Sequence, residues 1–252
     1  MNHVRACLVA LVSTCSSLLP LSGQQQPLLL SDFRPQTGHW QEARDASVNA
    51  EQRRRLNLAP GTGVITNGPG GETTNLISIA EFGDVEVHVE YLIPEESNSG
   101  VYLMARYEVQ IRDSFGVTPP RYSDAGGIYQ RWDPTRTPRG WEGVPPRINA
   151  SRPAGEWQTL EISFRAPRFD ATGRKTENAR FVQVVHNGVI VHENVPVTGP
   201  TQSATYEDER AVGPIMLQGD HGPVAYRNLK VRRLDLHLTP ETAARDNQPP
   251  RP

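Results

Sequence analysis

The segment Tyr107-Glu108-Val109-Gln110-Ile111-Arg112-Asp113 places an acid, an amide and a base at alternate positions between apolar side chains. At the strand period of two, Tyr107, Val109 and Ile111 share one face, and Glu108, Gln110 and Arg112 share the other. A carboxylate, a carboxamide and a guanidinium aimed one way can accept and donate hydrogen bonds, move a proton and hold negative charge. They can equally be an ordinary solvated sheet face. Three other segments combine glycine with polar or aromatic groups able to converge on the same pocket: Asn98-Ser99-Gly100, Gly126-Gly127-Ile128-Tyr129 and Gln218-Gly219-Asp220-His221-Gly222.

The elements that must position these groups read as strands. Val85-Glu86-Val87-His88-Val89-Glu90-Tyr91 alternates cleanly and ends in turn residues at 94–100. A strand over residues 101–106 follows, with Val101, Leu103 and Ala105 facing one way and Tyr102, Met104 and Arg106 the other, then the 107–113 strand. Residues 157–164 alternate again, and Asn187-Gly188 between two apolar runs is the strongest short hairpin signal. Residues 214–218 and 224–231 read as a last pair of strands, closed by the segment that carries Gln218, Asp220 and His221. Residues 45–58 carry too few apolar positions for a buried helix and read as a solvated insertion of a helical turn or two. Residues 119–153 form a long loop whose Trp132 and Trp141 suit either a wall over a pocket or a pin onto the sheet. His88, alone on a polar strand face, reads as solvated rather than as a metal ligand. No segment has the length and amphipathicity of a stable helix. The expectation is one all-β domain, a sandwich or barrel of antiparallel strands, over residues 28–236.

The ends read differently. Residues 1–23 have an early arginine, an apolar run and a small-residue close, the pattern of a secretory signal peptide and too short for a transmembrane segment. A lipoprotein anchored through Cys15 is the alternative, with Thr14 a poor residue before the modified cysteine. Both cysteines, Cys7 and Cys15, fall inside that segment, so the mature chain would hold together on its core alone. A secreted or periplasmic location is expected. Residues 239–252 are polar and proline-rich and read as a disordered tail. The net charge of −2, with no basic patch, argues against a nucleic-acid partner.

The ordered set NSGV, YEVQIRD, GGIY, RPAGEWQ, HNG and GPIMLQGDHGPVAYRNLKV resembles the bacterial 3-keto-disaccharide hydrolase family, from about Phe33 to Leu234. The chain departs from that pattern in an extra glycine in LQGDHG and in the segment at 45–58. The resemblance implies a concanavalin A-like jelly-roll β-sandwich of two antiparallel sheets, with a concave face that binds sugar. It also implies cleavage of glycosides whose glucosyl unit is already oxidised at C3, with an oligosaccharide or glycoside as substrate.

A ketone at C3 acidifies the C2 proton, so a base can remove it while the C1 oxygen leaves and water later adds back. That route needs a base, an acid and a group to hold the enolate oxygen. Glu108 and His221 are the base and acid in either order, and Arg106 or Arg112 stabilises charge. Gln110, Gln218, Tyr129, Trp132 and Asn98 are the expected sugar contacts. Direct hydrolysis by Glu108 with Asp220 is the alternative chemistry. No cofactor is required by the pattern, although a divalent metal on Glu108, Asp220 and His221 is conceivable. A lectin-like module without catalysis would use the same side chains. A shielded, pKa-shifted Glu108 would favour the enzyme.

Overall fold

The computed structural model describes residues 24–35, 38–71 and 73–236. The expected signal peptide and the expected tail lie outside the described residues. The strands are β1 (Gln26–Pro27), β2 (Gln41–Val48), β3 (Leu56–Thr66), β4 (Leu76–Phe82), β5 (Val85–Leu92), β6 (Asn98–Leu103), β7 (Tyr107–Arg112), β8 (Arg131–Trp132) and β9 (Gly140–Trp141). They continue with β10 (Gln158–Arg165), β11 (Arg168–Phe169), β12 (Lys175–Glu177), β13 (Ala179–His186), β14 (Val189–Val197), β15 (Gly213–Leu217) and β16 (Ala225–Arg233). Among the described residues the helical content is one 3-10 turn, Leu30–Asp32.

The strands form a jelly-roll sandwich of two antiparallel sheets. The larger runs β14-β13-β10-β5-β16-β3-β2, with β1 pairing β16, and the smaller runs β4-β15-β6-β7. Residues 126–128 extend the small sheet beyond β7: Gln110 N donates to Gly127 O and Gly126 N donates to Gln110 O, each at 2.8 Å. Val144 pairs with Ile128 outside that again.

The period-two pattern decides which side chains fill the core. Val85, Val87, Val89 and Tyr91 of β5 and Leu160, Ile162 and Phe164 of β10 meet Val101, Leu103, Tyr107, Val109, Ile111, Ile215 and Leu217 of the small sheet, all fully buried. Burying so many large apolar side chains supplies the main driving force of the fold. Asn187 and Gly188, both at positive φ, make the expected tight turn between β13 and β14.

Three expectations are corrected. Residues 45–58 are not helical: Asp45–Ala59 and Val48–Leu56 pair across a hairpin of β2 and β3, and the arginine run 53–55 lies at its turn. Small inward residues, Ala43 and Ala46 against Leu56 and Val64, give this hairpin a core too slight to stand out in the sequence. The strand expected over 101–106 runs from Asn98 to Leu103 instead. Met104 and Ala105 turn back at φ 58° and 52°, so Arg106 leaves the strand face. Finally, β15 and β16 are not partners. β15 pairs β4 and β6, whereas β16 lies between β5 and β3, so the 218–224 segment crosses from one sheet to the other.

Candidate active site

The outward face of the small sheet is built from alternate residues of three strands: Asn98, Gly100 and Tyr102 of β6, Glu108, Gln110 and Arg112 of β7, and Met216 of β15 with Gln218 just beyond it. The register sets Tyr102 beside Glu108, Gly100 beside Gln110 and Asn98 beside Arg112, and Met216 beside Tyr102. Gly100 is needed for close approach. A Cβ there would lie 2.2 Å from Glu108 Oε1, so only glycine lets the carboxyl lie across β6.

Glu108 is 2% exposed. Burial pushes its carboxyl up to about 8; a hydrogen bond with the Tyr102 hydroxyl opposes the shift and the nearby charge of Asp220 adds to it. No cation appears among these influences, so the group is protonated at neutral pH. The same proximity raises Tyr102 well above its ordinary value, through burial first and the Glu108 charge second. Tyr129 is raised too, by burial and then by Glu108, with Arg112 acting in the opposite direction.

The crossover supplies the second half of the site. His221 Nδ1 lies 2.6 Å from Asp220 Oδ1. A carboxylate only accepts, so in the neutral ring Nδ1 carries the proton and Nε2 is left able to take one. Gln218 Nε2 stands 3.2 Å from the same Nδ1. Backbone bonds bind this segment to β6: Asn98 N donates to His221 O at 3.1 Å and Gln218 N to Gly100 O at 3.0 Å. Ser99 Oγ donates to Gln218 O at 2.7 Å. Asn67 clamps the bend, its Nδ2 donating to Gly219 O at 3.0 Å and Gly222 O at 2.8 Å, while its Oδ1 accepts from Val224 N at 2.8 Å. Gly222 turns at φ +131°, and a Cβ there would lie 2.6 Å from Ser97 Oγ.

The third side is the added edge. Tyr129 N donates to Glu108 O at 3.2 Å, which brings Tyr129 alongside the carboxyl. His192 holds the start of this edge, its Nε2 donating to Gly126 O at 2.8 Å; burial pushes the imidazole down to about 4, so it stays neutral.

Residues 30–232 match the model of the 3-keto-alpha-glucoside-1,2-lyase-like domain. The chain belongs to this family. Two solved structures of candidate glycosyl hydrolases from Parabacteroides distasonis share the fold. One has a TM-score of 0.54 at 23% identity, covering 81% of this chain and 84% of the other. The second has a TM-score of 0.55 at 18% identity, covering 84% and 100%. No curated protein matches the chain.

Within this lyase-like domain the expected site residues divide. Glu108, Gln110, Asn98, Gln218, Asp220, His221 and Tyr129 gather on one side of the small sheet, with Arg112 at its exposed margin. Arg106 does not join them. Its guanidinium pairs with Asp208 at 2.7 Å, donates to Met104 O at 2.8 Å and lies 4.8 Å over the Tyr206 ring. It is a staple of the hairpin, not a charge stabiliser. Nor do Glu108, Asp220 and His221 form a ligand set: among the described residues no group of three or more His, Cys, Asp or Glu could hold a metal ion. His88 sits on the outer face of the large sheet, 3.7 Å from Glu161. Gly100 belongs to a segment the sequence singles out, whereas Tyr102 and Asn67 were missed as site residues; the partners of Asn67 lie some 150 residues away.

Proposed function

We propose that the protein cleaves the glycosidic bond of a 3-keto-glucoside or 3-keto-disaccharide by elimination across C1 and C2, in a secreted or periplasmic setting. The observation that carries this reading is a buried carboxyl, Glu108, which burial pushes up to about 8, on the same face as the Asp220–His221 pair. Elimination needs both, a base for the C2 proton and an acid for the departing oxygen.

His221 Nε2 takes the C2 proton, and Asp220 steadies the imidazolium that forms. The electron pair moves into a C1–C2 double bond through an enolate on the C3 oxygen. The bond from C1 to the leaving oxygen breaks as Glu108 gives that oxygen its proton. His221, half exposed, then returns its proton to solvent, and Glu108 is protonated again at any pH below about 8. Water adding across the double bond completes net hydrolysis. The Tyr129 hydroxyl supplies a donor near the carboxyl, and the positive charge of Arg112 acts on that hydroxyl, a pairing suited to the enolate oxygen. Asn98 Oδ1 and Gln218 Oε1 are buried without a hydrogen-bond partner among the described residues. Buried acceptors left unpaired are costly, and sugar hydroxyls are donors that would satisfy them.

The test is turnover of a 3-keto-disaccharide in deuterium oxide, with the released 3-keto-glucose read by proton NMR. Elimination followed by hydration replaces the C2 proton with deuterium. A product that keeps its C2 proton points to direct displacement by Glu108 and Asp220, and no turnover at all points to a lectin-like module.

A further inference from the structure

A groove of about 470 Å³ opens beside this face, lined by Arg131, Trp132, Trp141, Gln202, Ser203 and Glu207 among others. One of its lining residues is bonded to the strand that carries Glu108. Thr201, which also lines it, accepts a hydrogen bond from Glu108 N at 3.2 Å and donates to Arg106 O at 3.1 Å. From Tyr129, alongside the carboxyl, the chain reaches Trp132 in three residues, roughly 10 Å if extended. The loop on the far wall also reaches the outward sheet face, where Tyr206 packs against Tyr102 and Met216.

The two tryptophans on β8 and β9 have different surroundings. Trp141 is covered by cations, with the Arg131 and Arg136 guanidinium groups 4.8 and 3.9 Å from its ring centre. Trp132 has no such cover among the described residues and is 45% exposed. An indole left open in a groove of this volume, opposite amide, hydroxyl and carboxylate side chains, suits a ring with an apolar face and a hydroxyl edge. Gln202 is already oriented, its Oε1 accepting from Gln130 Nε2 at 2.9 Å, which leaves its own amide hydrogens for a ligand. The acidic Asp133 and Glu207 suit a neutral polyol better than a phosphate.

We propose that the groove is the subsite for the leaving group, taking the second sugar ring of a 3-keto-disaccharide against Trp132 while the oxidised ring lies over Glu108. This rests on the function proposed above. It makes the protein selective for glycosides whose aglycone is itself a ring.

The experiment compares a 3-keto-disaccharide with methyl 3-keto-glucoside in the parent, Trp132→Ala and Trp132→Tyr. The preference for the disaccharide in kcat/KM should fall roughly tenfold in Trp132→Ala, mainly through KM, and largely return in Trp132→Tyr. An unchanged preference, with melting temperature as the folding control, overturns the subsite. Indole fluorescence titrated with the unoxidised disaccharide decides independently of turnover. A saturable change that is lost in Trp132→Ala supports the subsite, and no saturable change in the parent overturns it. If neither glycoside is turned over while this binding survives, the catalytic reading fails and the subsite stands.

Discussion

β5 and β7 carry nearly the same pattern, Val-Glu-Val-His-Val-Glu-Tyr and Tyr-Glu-Val-Gln-Ile-Arg, and both send their apolar residues into one core. Their glutamates nevertheless meet opposite fates. Glu90 of β5 is held by Arg227 Nε at 2.7 Å and Asn228 Nδ2 at 2.6 Å, and Glu86 by Arg232 at 2.5 Å. Burial pushes Glu90 up, but Asn228 and Arg227 outweigh it, and the Arg232 hydrogen bond dominates at Glu86; both end below the usual carboxylate range. Glu108 is buried, and among the described residues no arginine holds its charge. Tyr102 and the Gly100 backbone lie under it, Tyr129 stands beside it, and Asp220 adds like charge. Alternation therefore tells which face a glutamate takes and nothing about what covers that face. A glutamate beside arginines is a surface tie, and one buried among tyrosines is an acid.

The largest test of this contrast is Glu108→Gln. The amide keeps the shape and most hydrogen bonds but cannot give a proton, so turnover of a 3-keto-glucoside should fall by roughly 10²–10⁴-fold while binding by calorimetry persists. Glu90→Gln, by contrast, should leave turnover unchanged.

A smaller effect separates the two residues in stability. The folded-state pKa of Glu108 lies above its ordinary value of 4.5, so the burial is comfortable only while the group is protonated. The stability tied to it is fully present below about 4.5 and is lost as pH rises through about 8. The Glu108→Gln variant should thus melt higher than the parent above pH 8, by up to about 5 kcal/mol in unfolding free energy, and the gap should close toward pH 4. Thermal melts across that range check it; a variant less stable than the parent at pH 9 would mean the carboxylate is well accommodated.

The smallest effect belongs to the surface tie. Both partners of Glu90 are partly in water, so Glu90→Gln should cost no more than about 1 kcal/mol near neutral pH. Because the folded pKa of Glu90 is depressed, that contribution should vanish as pH falls through the carboxylate range. A larger or pH-independent loss would show that the two glutamates differ less than their surroundings indicate.

How far the sequence reaches follows the same division. Strand periodicity, the Asn187-Gly188 turn and the gathering of Asn98, Glu108, Gln218 and His221 were legible because each is local or part of a short motif. The fate of Glu108 was not, since its cover comes from residues 102, 129 and 220. Arg106 was misplaced because the period of two was carried through a turn that starts at Met104. The β2–β3 hairpin was hidden by alanines doing the work of larger residues on its inner face. Asn67, in an Asn-Gly that reads as an ordinary turn, holds the crossover that carries His221 only because β3 and β16 are neighbours in the large sheet.

The central claim, that Glu108 carries its proton at neutral pH, is open to direct titration. Carbon-13 NMR of protein labelled at the glutamate carboxyl carbons would follow each group with pH in the parent and in Glu108→Gln. The account predicts one resonance that titrates near 8 and is missing from the variant. If every glutamate signal titrates below about 5, Glu108 is ionised at neutral pH and cannot be the acid.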